Sequence, residues 1–239
     1  MAVERQGLRS EPVAAAGELA RQLFADARVV IVGGSVLTDR RTPTSDLDLV
    51  VVTGPRDAPC RQSFTWENWP VEALVHDEAT LRAYCADNLV RRWPGIPRLI
   101  AEGALVADDG LGTRLQAEMR QRLAAGPAAA TSGELDAQRY DLTDLLDDLA
   151  GASDPAEIAF IAARVLTKTA QLALLAGQHW QGTGKWLWRE LHDHDPRLAE
   201  QLATAAPDAS RLGAVARAVL DQTGGPLRDG YQVTDPRRP

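Results

Sequence analysis

Residues 45–52, S-D-L-D-L-V-V-V, constrain the fold more than any other segment of this chain. Asp46 and Asp48 open an apolar, β-branched run whose length and composition are typical of a buried strand. Side chains alternate along a strand, so both aspartates point to one face while Leu47 and Leu49 point to the other. Two like charges this close on a largely buried strand require a cation between them, unless they stand at a solvent-exposed strand end.

A turn of two glycines and a serine precedes this strand. Gly33, Gly34 and Ser35 follow a shorter apolar strand predicted at residues 28–32. Glycines let the backbone approach a ligand closely, and successive backbone N–H groups beside a serine hydroxyl can hold phosphate oxygens. Many strands end in two glycines, so the turn indicates phosphate binding only in combination with the S-D-L-D segment that follows it.

A third acid lies within a later strand. The segment V-E-A-L-V-H, residues 71–76, has strand character, and Glu72 points away from its apolar neighbours. A charged glutamate within a buried sheet is costly unless it is paired or bound to a metal ion. If this strand lies beside the one predicted at residues 46–53, Glu72 joins Asp46 and Asp48 in one cluster of hard oxygen ligands, which suit Mg²⁺.

This combination resembles the hallmark of the polymerase-β-like nucleotidyltransferase superfamily. The family pattern is a Gly-[Gly/Ser] pair, a short spacer, an alternating hydrophobic-Asp-hydrophobic-[Asp/Glu] strand and a later strand with a third acid. The matching segments of this chain are Gly34-Ser35, Asp46-Leu47-Asp48-Leu49 and Val71-Glu72-Ala73. The helical second half is also similar, more loosely, to the C-terminal domain of the aminoglycoside nucleotidyltransferases.

The resemblance implies a reaction and a role for each matching residue. Asp46, Asp48 and the triphosphate of an NTP, expected to be ATP, would together hold two Mg²⁺ ions. Glu72 would either complete the metal site or take the proton of the acceptor hydroxyl as a general base. Ser45 matches a serine that the family often carries before the first aspartate, and Gly33, like the rest of its turn, would bind the nucleotide. A small molecule would receive the nucleoside monophosphate, and pyrophosphate would be released.

The chain as a whole predicts an α+β fold in two domains. In its first half strands alternate with helices, and the resemblance implies a small mixed β-sheet nucleotidyltransferase domain at residues 1–125. The small-residue stretch 124–133 predicts the boundary. After it every patterned segment is helical, with a clear helix start at Asp154 and Pro155, so residues 134–239 are predicted to form an all-helical bundle.

Lys185 is one of only two lysines in an arginine-rich chain, and it follows a Gly-Thr-Gly turn. A compact ammonium at the start of a helix favours contact with phosphate. In nucleotidyltransferases of this build a lysine of the helical domain commonly binds the β- and γ-phosphates, so the resemblance assigns Lys185 to nucleotide binding. The alternative is a surface lysine.

Composition and charge restrict the partners. The 239 residues carry a net charge of −7, of which −5 falls within residues 134–239. This balance and the lack of a basic stripe argue against long nucleic-acid substrates, whereas the acidic helical half favours a cationic acceptor such as an aminoglycoside. The two cysteines offer no metal-ligand spacing. Without an apolar run of membrane-spanning length or an apolar signal region at the N-terminus, we expect a cytoplasmic protein without membrane contact.

Two other functions fit the same pattern. Minimal nucleotidyltransferases that resemble this core act as antitoxins on a protein or RNA partner, although they usually lack a helical second half. A nucleotide-binding module that has lost catalysis is the other alternative, and the presence of all three carboxylates argues against it. The sequence leaves the identity of the NTP, the acceptor and the oligomeric state open.

Overall fold

The structure is a computed structural model that describes residues 2–232, with side chains from Glu11 onward. The chain divides into two compact units between Ala125 and Gly126. This division falls within the small-residue stretch 124–133. Residue 1 and residues 233–239, which the predicted domains include, lie outside the described residues.

Within the described residues, the first unit is built on a five-stranded mixed sheet. Its strands are β1 (Val29–Gly33), β2 (Leu47–Val52), β3 (Cys60–Trp66), β4 (Trp69–His76) and β5 (Ala104–Asp108). They lie in the spatial order β3-β4-β2-β1-β5. The β2–β4 pair is parallel and the remaining neighbouring pairs are antiparallel.

Helices cover both faces of this sheet. One face packs against α1 (Ala2–Leu23), whose Leu19 is completely buried there. The opposite face packs against α2 (Glu78–Val90), α3 (Gly95–Glu102) and α4 (Leu111–Ala124). Along β2, Leu49 faces α1 and Val50 faces the other helices, as the alternation of side chains requires.

The sequence predicts the central elements of this unit and misses the smaller ones. The strands expected at residues 28–32, 46–53 and 71–76 are β1, β2 and β4, with ends displaced by one or two residues. The edge strands β3 and β5 and the helix α3 are not predicted. β3 is largely exposed and polar, and α3 and β5 are too short to show a clear hydrophobic period.

The second unit is helical in all its described elements. These are α5 (Ser132–Gly151), α6 (Pro155–Ala176), α7 (Lys185–His194), α8 (Pro196–Ala205) and α9 (Ala209–Gln222). As predicted, α6 begins with Pro155, and the Asp154 carboxylate accepts a hydrogen bond of 2.8 Å from the backbone N–H of Ala156. Leucines such as Leu142 and Leu172 fill the core. The α+β fold, a mixed-sheet domain followed by a helical bundle, is thereby confirmed.

One described helix, α6, is long and apolar enough to cross a membrane by length and composition alone. No such segment is expected from the sequence. The core helix of a bundle passes the same test, and α6 packs against α5, α7 and α9 with Leu172 and Leu174 completely buried. We therefore describe α6 as a bundle helix.

Replacing Leu172 by alanine is expected to lower the free energy of unfolding by about 2–5 kcal/mol, because the truncation leaves a cavity in the bundle core. Phe160→Ala on the same helix is the matched control. Phe160 is 80 % exposed, so its truncation should change this free energy by less than about 0.5 kcal/mol. Urea unfolding followed by circular dichroism measures both variants, and equal losses would contradict the assigned core.

Candidate functional site

The strand register brings residues from four strands into one row across the sheet. Gly33 on β1 lies opposite Asp48 on β2, Asp48 lies opposite Glu72 on β4, and Glu72 lies opposite Ser63 on β3. Residues paired in this way project to the same face of a sheet. The structure therefore places Glu72 beside Asp48, as the sequence analysis expects if the two strands are neighbours.

The face that carries this row opens into a small pocket of about 60 Å³. Asp48, Glu72 and Arg61 line it from the sheet, Tyr84 lines it from α2, and Ile96 and Leu99 line it from α3; Leu49 and Leu74 complete the lining. The pocket has charged groups on one side and an apolar wall on the other, and it is much smaller than the roughly 300–1,000 Å³ of a cavity that encloses a drug-sized molecule.

Asp46 lies immediately before β2 and is half-buried. The residue before it, Ser45, is 8 % exposed. The Ser45 hydroxyl oxygen accepts a hydrogen bond of 2.9 Å from the backbone N–H of Thr42, and it lies 3.0 Å from the hydroxyl oxygen of Ser35. These contacts join the loop before the acidic strand to the glycine-serine turn, so the structure brings Ser35 and Ser45 together.

The glycine turn approaches the row so closely that it leaves no room for side chains. Gly34 has φ 85° and ψ −169°, a conformation that only glycine adopts readily. A Cβ atom there would lie 2.1 Å from Oδ2 of Asp48, and a Cβ atom on Gly33 would lie 2.8 Å from Cγ of Leu99. Neither position can therefore accept a side chain without a collision. At Gly34 the side chain would collide with a carboxylate oxygen of Asp48, a predicted metal ligand.

Arg61 contributes a positive charge to the site that no motif in the sequence indicates. It lies on β3, and its Nε donates a hydrogen bond to Oε1 of Glu72 in an ion pair. This carboxylate raises the pKa of the Arg61 guanidinium, with smaller contributions from Tyr84 and Asp48. Because β3 itself is not predicted, its register against Glu72 has no local signal in the sequence.

His76 and Tyr84 form a stacked pair on the same side of the sheet. His76 lies on β4, two and four residues beyond Leu74 and Glu72, and its ring centroid lies 5.4 Å from that of Tyr84. Burial lowers the pKa of the His76 imidazole below its usual value. The pair connects the last residue of β4 to Tyr84, which lines the pocket, and the lowered pKa favours the neutral form of the His76 imidazole.

The acids fit Mg²⁺ in donor chemistry, and the aspartates fit it better than the glutamate does. Asp46 and Asp48 offer carboxylate oxygens, the ligands that this ion prefers. Among the described residues, however, no group of three or more His, Cys, Asp or Glu side chains is arranged to hold a metal ion. Glu72 is instead paired with Arg61. Its place in a metal site stays a prediction.

Lys185 belongs to the second unit, where it is the first residue of α7. Gly184 before it has φ 51°, which agrees with the turn expected at Gly-Thr-Gly. The part of Lys185 in nucleotide binding stays a prediction from the resemblance.

Comparison with known proteins finds a distant likeness in fold. No protein-family model and no curated protein matches this chain. Among solved structures, the chain is similar to a nucleotidyltransferase-like protein from Exiguobacterium sibiricum, with 15% sequence identity and a TM-score of 0.45. The likeness covers 86% of this chain and 74% of that chain. It carries no conclusion about activity, which must come from the site.

Replacing Gly34 by alanine is expected to destabilise the first unit by about 1–3 kcal/mol, because a side chain is strained at this φ and ψ and its Cβ would clash with Asp48. Gly54→Ala is the matched control, since its added Cβ meets no atom within 4 Å. Thermal and urea unfolding measure both variants. A Gly34→Ala protein as stable as Gly54→Ala would contradict the close approach of the turn to Asp48.

Proposed function

We propose that this protein transfers a nucleoside monophosphate, AMP in the first instance, from an NTP to a hydroxyl group of a small molecule. The observation that carries the proposal is the row in which Asp48 pairs with Glu72 beside the Gly33–Gly34–Ser35 turn. A turn without side-chain bulk beside carboxylates provides a place for phosphate and a place for the cation that accompanies it.

The proposed roles follow from the donor and acceptor groups of each residue. Asp46 and Asp48 would hold Mg²⁺, which when bound neutralises phosphate charge and lowers the pKa of a coordinated hydroxyl. The backbone N–H groups of Gly34 and Ser35 would donate hydrogen bonds to phosphate oxygens. The Ser35 and Ser45 hydroxyls, which lie 3.0 Å apart, would add hydrogen bonds to the same phosphate oxygens. Lys185 would bind the β- and γ-phosphates as a point charge.

The reaction is a substitution at the α-phosphorus of the nucleotide. The acceptor hydroxyl oxygen forms a bond to this phosphorus, and the bond from the phosphorus to the oxygen that bridges to the β-phosphate breaks. The bridging oxygen keeps the electron pair and leaves as part of pyrophosphate. The hydroxyl proton passes to Glu72, or to water if Glu72 serves only as a metal ligand.

An aminoglycoside is the first acceptor class to test. The second unit is acidic, and such a surface attracts polycationic, hydroxyl-rich molecules. Part of this charge is neutralised within the unit, since Lys168 pairs with Asp141 at 2.7 Å and Arg228 pairs with Asp147 at 2.5 Å. A panel of acceptors should therefore include neutral hydroxyl compounds as well.

The test is acceptor-dependent release of pyrophosphate, with Mg²⁺, each NTP in turn and a panel of aminoglycosides and other hydroxyl-bearing antibiotics. Asp46→Asn and Asp48→Asn should each reduce turnover by at least about tenfold and up to complete loss, because removal of a ligand costs no less than removal of its supporting group. Asp57→Asn, the same change at an exposed position of the first unit, is the matched control and should retain activity.

Retained turnover in the Asp46 or Asp48 variant would contradict the assignment of the site. Silence across the panel, with Mg²⁺-dependent binding of NTP intact, would instead contradict an antibiotic acceptor, leave the chemistry standing and move the search to a metabolite, protein or RNA acceptor. The antitoxin-like alternative, with a protein or RNA acceptor, would then be tested next.

A further inference from the structure

The ion pair between Arg61 and Glu72 places a cation where the proposed site needs its third carboxylate. The Arg61 side chain is 64% exposed, whereas that of Glu72 is 25% exposed. The Glu72 carboxylate is therefore the more confined of the two groups, whereas the Arg61 guanidinium has space to change its position. Exposed pairs of this kind are weak and reversible, because solvent screens them.

Arg61 also faces more than one acid of the site. It lines the pocket together with Asp48 and Glu72, and both carboxylates raise the pKa of its guanidinium and so stabilise its positive charge. The guanidinium thus offsets the repulsion between Asp48 and Glu72 that their pairing across β2 and β4 would otherwise produce. A divalent cation bound between the same groups would perform the same task more strongly, because it carries twice the charge.

The geometry of β3 explains how the guanidinium can leave. Arg61 lies opposite Leu74, two residues along β4 from Glu72, so it reaches the carboxylate diagonally from an edge strand. A long side chain on an edge strand can rotate into solvent without disturbing the sheet. Once released, its planar donors match the oxygens of a phosphate group.

We propose that Arg61 is a positioning residue that competes with the divalent cation for Glu72 and, once displaced, binds a phosphate group of the nucleotide. This inference rests on the proposed function, because it takes Glu72 as part of the cation site. Under this proposal the binding of the cation and the binding of the nucleotide depend on each other. In the empty site Arg61 stays paired with Glu72, and when the nucleotide binds, its phosphate gives the guanidinium another anionic partner.

The experiment measures Mn²⁺ binding by electron paramagnetic resonance, which needs no turnover, in the wild-type protein and its variants. Binding that Asp48→Asn abolishes defines the site. Arg61→Gln should bind Mn²⁺ about two- to fivefold more tightly, the range that loss of an exposed ion pair allows. Arg91→Gln is the matched control, since Arg91 pairs with Asp87 at 3.1 Å on α2 and its side chain is 66% exposed; it should leave Mn²⁺ binding unchanged.

A double-mutant cycle separates this competition from a general effect of charge. In the Glu72→Gln background, Arg61→Gln should no longer tighten Mn²⁺ binding, because the competing pair is already absent. Binding of the Mn²⁺ complex of a non-hydrolysable ATP analogue, measured by calorimetry, should be weaker in Arg61→Gln. Arg61→Lys should recover it only partly, because an ammonium lacks the planar donors.

The outcomes distinguish the inference from the proposed function. Tighter Mn²⁺ binding together with weaker nucleotide binding in Arg61→Gln, and only with Glu72 present, supports the competition. Equal Mn²⁺ affinity in the wild-type and Arg61→Gln proteins overturns the inference and leaves the cation site standing. Failure of the wild-type protein to bind Mn²⁺ through Asp48, with or without the analogue, overturns the proposed function and the inference with it.

Discussion

The parallel pairing of β2 with β4 is the constraint on which the candidate site depends. It sets Asp48 directly opposite Glu72 although the two residues lie far apart in the chain. Neighbouring strands lie about 5 Å apart, so two carboxylates in this register repel each other unless a positive charge offsets them. In the structure Arg61 supplies part of that charge. In the proposed reaction the cation that accompanies the nucleotide supplies it.

The surrounding chain is arranged so that this polar row does not disturb the fold. Leu47 and Leu49 of the same strand are completely buried against the opposite face, with α1 as their cover. Val50 and Val52 follow Asp48 on the same face of β2, and there they belong to a second apolar core that α2, α3 and α4 cover. Asp46 and Asp48 thus lie at the N-terminal end of a strand whose other residues are buried on both faces, and at such an end charge costs least and remains accessible.

The sequence predicts those parts of the site whose residues lie within short continuous segments of the chain. Asp46 and Asp48, the glycine turn and the strand of Glu72 each carry a local pattern of apolar and polar residues, and each is found near its expected place. Arg61 has no such pattern, because its contact with Glu72 arises from the register of an edge strand that lacks a clear period. Tyr84 is missed for a related reason. It lies on α2, and its place in the pocket depends on how that helix packs on the sheet.

The most direct test of the central claim is a crystal structure of the protein with Mn²⁺ and a non-hydrolysable ATP analogue, with the metal located by anomalous scattering. We expect an anomalous peak within coordination distance of carboxylate oxygens of both Asp46 and Asp48. We also expect phosphate oxygens at the Gly34–Ser35 turn. A nucleotide bound elsewhere, or a metal peak that neither aspartate contacts, would contradict the proposed site.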